Sequence, residues 1–122
     1  MDNRPAIVLV VEDEPLVRMA AVDIVESAGF AAIQAASADE AISILESRDD
    51  IQLVFTDIDM PGSMDGLKLA HAIREKWPPV RLLLASGKAI LKESQLPTGA
   101  RFFTKPYDEA ELRSTIQRLL AA

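Results

Sequence analysis

The sequence has no cysteine and one histidine, so it carries no disulfide framework, no thiolate nucleophile and no Cys-ligated zinc. That absence fits a reducing, cytoplasmic setting. Basic residues are outnumbered: thirteen Lys and Arg face nineteen Asp and Glu, a formal charge of −6, which argues against a broad phosphate-tracking surface and direct nucleic-acid binding. Long hydrophobic runs are also missing. The longest, at residues 6–11 and 80–85, fall far short of the roughly 20 residues that span a bilayer, so no membrane segment is expected. Met1 to Pro5 lack the basic-then-apolar layout of a secretory signal, and the chain is expected to begin there. What remains is ordinary: 122 residues, 49% apolar and 26% charged, suit one self-folding domain and leave no room for a second of normal size.

Short apolar runs alternate five times with segments whose apolar residues recur at three and four, the pattern of a β-α repeat. Residues 6–11 (AIVLVV) are continuous and β-branched, as in a strand covered on both faces. Val17, Ala20, Ala21, Ile24, Val25 and Ala28 then form one helical stripe opposite Arg18, Asp23 and Glu26, and Gly29 stops the helix. Residues 30–35 read as a second strand, and Ser37 with Glu40 as a capping box for a helix carrying Ala41, Ile44 and Leu45. The third strand is 51–56 (IQLVFT), followed by a loop with Pro61 and Gly62. A third helix, striped by Leu69, Ala72, Ile73 and Trp77, ends at Pro78-Pro79. A fourth strand covers 80–85, and about two turns of helix are expected over 88–95 before Pro97. A fifth strand near 100–104 leads to a last helix capped by Asp108 with Glu111 and striped by Leu112, Ile116, Leu119 and Leu120. Five such units joined by right-handed crossovers make a doubly wound α/β fold, a parallel sheet with helices on both faces. Its crevice lies at the carboxyl ends of the strands.

Glu12 and Asp13 follow the first strand, Asp57 the third, Ser86 the fourth and Lys105 the fifth. Three carboxylates on one rim repel by roughly 4 kcal/mol for a full-charge pair at about 4 Å and an effective dielectric near 20. An oxygen-preferring cation such as Mg²⁺, or a lysine ammonium, would offset that. Carboxylate, cation, ammonium and hydroxyl together suit phosphoryl transfer, with Asp57 as nucleophile and the rest neutralising charge on three oxygens. Each piece also has a plain reading: a turn or cap aspartate, an N-terminal acidic cap before Pro15, a Ser-Gly turn, an exposed Lys-Pro bend. All of them together at the correct strand ends favour the site.

From about residue 6 to 120 the chain resembles the receiver domain of two-component response regulators. The motifs that carry the match are VLVVEDEP at 8–15, FTDIDMPGSMDG at 55–66, LLLASG at 82–87 and FFTKPY at 102–107. The resemblance implies one receiver domain over 1–122 with no output domain, and a flavodoxin-like sheet of strand order 2-1-3-4-5. It further implies Glu12 and Asp13 as the acidic metal pair, Asp57 as phosphoryl acceptor and the Asp59 carbonyl as a further Mg²⁺ ligand. Ser86 and Phe102 would be the switch residues and Lys105 the phosphate-binding lysine. The implied donor is a sensor histidine kinase or histidine phosphotransfer protein, and the implied state a monomer or weak dimer. Three features depart from the family's usual pattern. The loop from Asp57 to Gly66 is one residue longer, Asp59 and Lys88 occupy positions that tune phosphorylation lifetime, and the stretch between Ser86 and Lys105 is short, so its helix is expected to be short or irregular.

His71 has no second ligand nearby and reads as a solvated helix residue, Trp77 as core cover, and Met60 and Met64 as packing residues. Gly87-Lys88 is not a phosphate loop, because residue 82 is Leu rather than Gly. Two other functions compete. Asp57-Ile-Asp59 resembles the Asp-x-Asp nucleophile of haloacid-dehalogenase-like phosphatases, a small Mg²⁺-dependent phosphohydrolase reading, but that motif follows an early strand. A receiver-like interaction module that accepts no phosphate is the other; the complete set Asp13, Asp57, Ser86 and Lys105 argues against it.

Overall fold

The alternating apolar runs and helical stripes build a five-stranded parallel sheet sandwiched between helices. In the computed structural model, which describes residues 5–88 and 91–121, the chain runs β1 (Ile7–Val11), α1 (Pro15–Ser27), β2 (Ala31–Ala35), α2 (Ala38–Ser47) and β3 (Ile51–Asp57). It continues through α3 (Gly66–Lys76), β4 (Arg81–Ser86), β5 (Arg101–Thr104) and α4 (Glu109–Leu120). The strands are all parallel, as the apolar pattern implied, and their order is β2-β1-β3-β4-β5, as the resemblance implied.

Strand alternation explains why the runs are apolar throughout. Val8 and Val10 of β1 join Leu53, Phe55, Leu83 and Ala85 in the layer under α1 and α4. Leu9 and Val11 join Val54, Leu82 and Leu84 in the layer under α2 and α3. Both faces are covered, so no strand position in the centre tolerates a polar side chain until the rim is reached.

Helix ends follow their capping residues. Ser37 Oγ accepts from the Glu40 amide at 3.1 Å, while the Glu40 carboxylate reaches back to the Ala36 amide at 3.3 Å, one residue before the usual partner in a capping box. Asp108 accepts from the Ala110 amide at 2.9 Å. Asp65, which reads only as loop in the sequence, caps α3 by accepting from the Lys68 amide at 2.9 Å. Gly29 ends α1 with φ +100°, a conformation other residues rarely adopt.

The α1 stripe differs from expectation. Ala21, Ile24 and Val25 are buried, but Val17 and Ala20 are exposed. The first turn of α1 stands at the rim directly after β1, and burial starts one turn further in. Between β4 and β5 the expected two-turn helix is absent among the described residues; a single 3-10 turn, Glu93–Gln95, takes its place. Ala89 and Ile90, which belong to that expected helix, lie outside the described residues. His71 is exposed but not idle, since its Nε2 donates to the Gln95 carbonyl at 2.7 Å. Arg74 adds bonds to the carbonyls of Thr98, Pro78 and Val80 at 2.9, 2.6 and 2.9 Å. Two side chains of α3 thus hold a segment that has little secondary structure of its own.

Candidate functional site

Ladder register delivers the polar groups to one place. Val11 lies opposite Thr56, so the next residues, Glu12 and Asp57, emerge side by side where the chain switches from β1 outward to β2 and back to β3. Asp57 in turn lies opposite Ala85, and Ser86 opposite Thr104, which brings Lys105 to the same rim. The Lys105 amide donates to the Ser86 carbonyl at 2.9 Å, extending the ladder by one bond. Asp57 and Ser86 are the last residues of their strands rather than the first of the loops, so their backbones are fixed by the sheet.

Glu12 is 5% exposed and Asp57 7%. Lys105 Nζ sits between them, 3.1 Å from Glu12 Oε1 and 3.0 Å from Asp57 Oδ1. Its approach to Asp57 is close enough to pair charges but out of line, and Oδ1 is left buried with no well-aligned hydrogen bond among the described residues. Burial raises the pKa of Asp57 above its ordinary value, and Lys105 only partly opposes this. Burial likewise raises Glu12, with Asp13 and Asp57 adding to the shift. For Lys105, burial pulls downward, yet Asp57 and Glu12 outweigh it and the ammonium ends above the ordinary lysine value.

One oxygen from each of Glu12, Asp13 and Asp57 lies within 4.8 Å of the others. The donors are all hard oxygens, one of them a buried carboxylate oxygen lacking a good donor, and that set fits a divalent cation such as Mg²⁺. Asp59 stands apart from this trio. Its Oδ2 accepts from Ser86 Oγ at 2.6 Å, while Ser86 Oγ accepts from the Lys88 amide at 3.1 Å. Phe102 lies opposite Leu84 in the β4–β5 ladder and packs half-buried against the core layer of α2 and α3.

A glycine makes this geometry possible. A Cβ on Gly66 would collide with the Asp57 carbonyl, so only glycine lets the first turn of α3 press against the acceptor's backbone, where the Gly66 amide donates to the Ile58 carbonyl at 3.1 Å. Two neighbours were invisible in the sequence pattern. Arg18, which reads as an outward polar residue, turns back to the rim; Tyr107 packs edge-on against Phe55 and Phe103 at 6.0 and 6.4 Å between ring centroids. A groove of about 1090 Å³ lies at the opposite end of the sheet around Trp77 and Arg81 and, among the described residues, holds no comparable carboxylate cluster. Chemistry rather than size marks the site.

Comparison with known proteins agrees with this geometry. A family described as the response regulator receiver domain matches residues 8–117. The sensor kinase CckA of Brucella abortus is 35% identical over 119 residues, covering 94% of this chain and 12% of the kinase, so the chain spans about an eighth of that relative. A response regulator receiver protein from Sinorhizobium medicae superposes with a TM-score of 0.89 at 28% identity, covering 98% of this chain and 97% of the other. The response regulator TrrA of Thermotoga maritima, solved in complex with Mg²⁺ and BeF, gives a TM-score of 0.80 at 27% identity, covering 93% and 98%. Sheet order, strand-end carboxylates and a family match over nearly the whole length lead to one conclusion: the chain belongs to the response regulator receiver domains, the phospho-accepting modules of two-component signalling.

Proposed function

We propose that Asp57 accepts a phosphoryl group from a phosphohistidine on a sensor histidine kinase or phosphotransfer protein, in the cytoplasm. The observation that carries the reading is the buried Asp57 carboxylate wedged between Lys105 and the Glu12 and Asp13 carboxylates. An Asp57 oxygen forms the new O–P bond as the donor's N–P bond breaks, and the donor imidazole leaves with the electron pair of that bond. Lys105 is close enough to follow the charge from carboxylate to phosphoryl oxygens. Glu12, Asp13, Asp57 and the Asp59 carbonyl would hold Mg²⁺, which when bound neutralises charge on those oxygens. The phosphoryl group adds about −1.5 to −2 charges and strong acceptor oxygens. The Ser86 hydroxyl leaves Asp59 to donate to them, and Phe102, on the same sheet face as Leu84, turns into the space vacated.

A protein donor also has a seat. Leu16, Val17 and Met19, the large exposed apolar residues among those described, all lie on the first turns of α1 beside Glu12 and Asp13. The test is incubation with acetyl phosphate and Mg²⁺ followed by intact-mass measurement. One phosphate should be added, and Asp57→Asn should abolish it. Equal labelling in that variant would reassign the acceptor, and no labelling of the wild type would leave a receiver-like module that takes no phosphate.

A further inference from the structure

The turn from Glu12 to Glu14 carries two of the three clustered carboxylates, yet its own holds are few. Glu14, at the N-cap of α1, makes no side-chain cap bond, and Pro15 follows it without an N–H. The Glu12 amide donates to the Ala35 carbonyl at 3.0 Å, and the Glu14 amide donates to Glu12 Oε2 at 3.1 Å. Against these bonds stands the mutual repulsion of Glu12, Asp13 and Asp57.

Arg18 supplies what the turn lacks. From the first turn of α1 its Nη1 donates to the Glu12 carbonyl at 2.8 Å, and its Nε donates to Gln34 Oε1 on β2 at 3.1 Å. One planar guanidinium therefore ties α1, the end of β1 and β2 together. The carbonyl it holds belongs to the peptide joining Glu12 to Asp13, so fixing that peptide fixes the origin of both side chains. Resting on the phosphoryl-acceptor reading above, we propose that Arg18 is a positioning residue that keeps the Glu12–Asp13 turn in cation-binding geometry.

Two effects of Arg18 on a bound cation have opposite signs. As a charge it repels Mg²⁺ and its loss should tighten binding; as a clamp it preorganises the ligands and its loss should weaken binding. Its two hydrogen bonds go to a backbone carbonyl and an amide oxygen rather than to a carboxylate, and the residue is half-buried, so its field is partly screened and the clamp wins.

Isothermal titration of the whole chain with Mg²⁺ alone separates them. Arg18→Met should weaken Mg²⁺ binding on the order of tenfold, the lower end of what residues behind metal ligands contribute. Arg18→Lys, which keeps the charge and one donor, should fall between that variant and the wild type. Gln34→Ala changes no charge and sits at an exposed position, yet should weaken binding about two- to threefold through the lost bond to Nε; it decides the matter if Arg18→Met folds poorly. Unchanged or tighter Mg²⁺ binding in Arg18→Met, or a lower metal-free melting temperature with unaltered affinity, overturns the assignment while leaving the acceptor reading intact. Absence of Mg²⁺ binding by the wild type overturns both.

Discussion

The strand-end rim and the segment between β4 and β5 are neighbours built on opposite principles. At the rim, Glu12, Asp57, Ser86 and Lys105 are each placed by a parallel ladder, and α3 is pressed against Asp57 through Gly66. In the segment, the described residues 91–100 contain a three-residue 3-10 turn and a turn closed by the Ala100 amide on the Pro97 carbonyl, and His71 and Arg74 hold it from outside. The difference teaches that reaction geometry here is fixed by backbone pairing between strands, whereas the adjoining surface is held by local turn bonds, apolar packing and a few side-chain bonds.

The largest way to break that contrast is Gly66→Ala. The added methyl has backbone on its far side and cannot be relieved by a rotamer, so destabilisation of about 3 kcal/mol or more is expected in urea unfolding. A loss below about 1 kcal/mol would show that α3 slides away from Asp57 without resistance.

Mg²⁺ sharpens the rim side of the comparison. At ten times its dissociation constant it should stabilise the fold by about 1.4 kcal/mol through linkage, seen as a rise of several degrees in melting temperature. Asp13→Asn should remove most of that rise. No shift in calorimetry at several-millimolar Mg²⁺ would mean that the three carboxylates do not act as a cation site.

Arg74→Ala probes the other side. It removes bonds to Thr98, Pro78 and Val80, so amides of residues 91–100 should exchange faster than in the wild type and much faster than those of α4. Mg²⁺ affinity should stay within about twofold of wild type, as expected for a residue that shares no partner with the cluster. Slow exchange equal to that of α4 would show that packing of Leu91 and Leu96 suffices without the clamp.

The smallest expected effect concerns Tyr107. Burial lifts its phenol above the ordinary value of 10.0, with Glu12 and Asp57 adding to the shift and Lys105 opposing it. The folded protein holds that proton more tightly than the unfolded chain. The stability it contributes is therefore intact below pH 10.0 and is lost as pH rises through the raised value. As the only tyrosine, it can be followed by phenolate absorbance. A midpoint at or below 10.0 in the folded protein would show that the cluster with Phe55 and Phe103 is open to water.

Much of this was legible in the sequence, for reasons that particular residues show. A strand buried on both faces must be apolar until it leaves the sheet, so the first polar residues after each run mark the rim, and Glu12, Asp57, Ser86 and Lys105 could be named from one-dimensional pattern. Capping chemistry is local too, which is why Ser37 and Asp108 were readable. The helix expected over 88–95 was doubtful for a local reason, the nearness of Pro97 and Gly99, and a short 3-10 turn stands there.

Other features have no local signature. Val17 and Ala20 fall on the apolar stripe of α1 yet face solvent, because the sheet ends beneath that turn. Arg18 looks like surface until β2 brings Gln34 beside it, and Asp59 looks like a loop acid until β4 carries Ser86 within 2.6 Å. The sequence by itself determined which chemical groups stand at the rim, because hydrophobic periodicity and strand polarity act over a few residues. Only the tertiary structure decided which of them hold one another, because those bonds join residues that the sheet register, not the chain, makes neighbours.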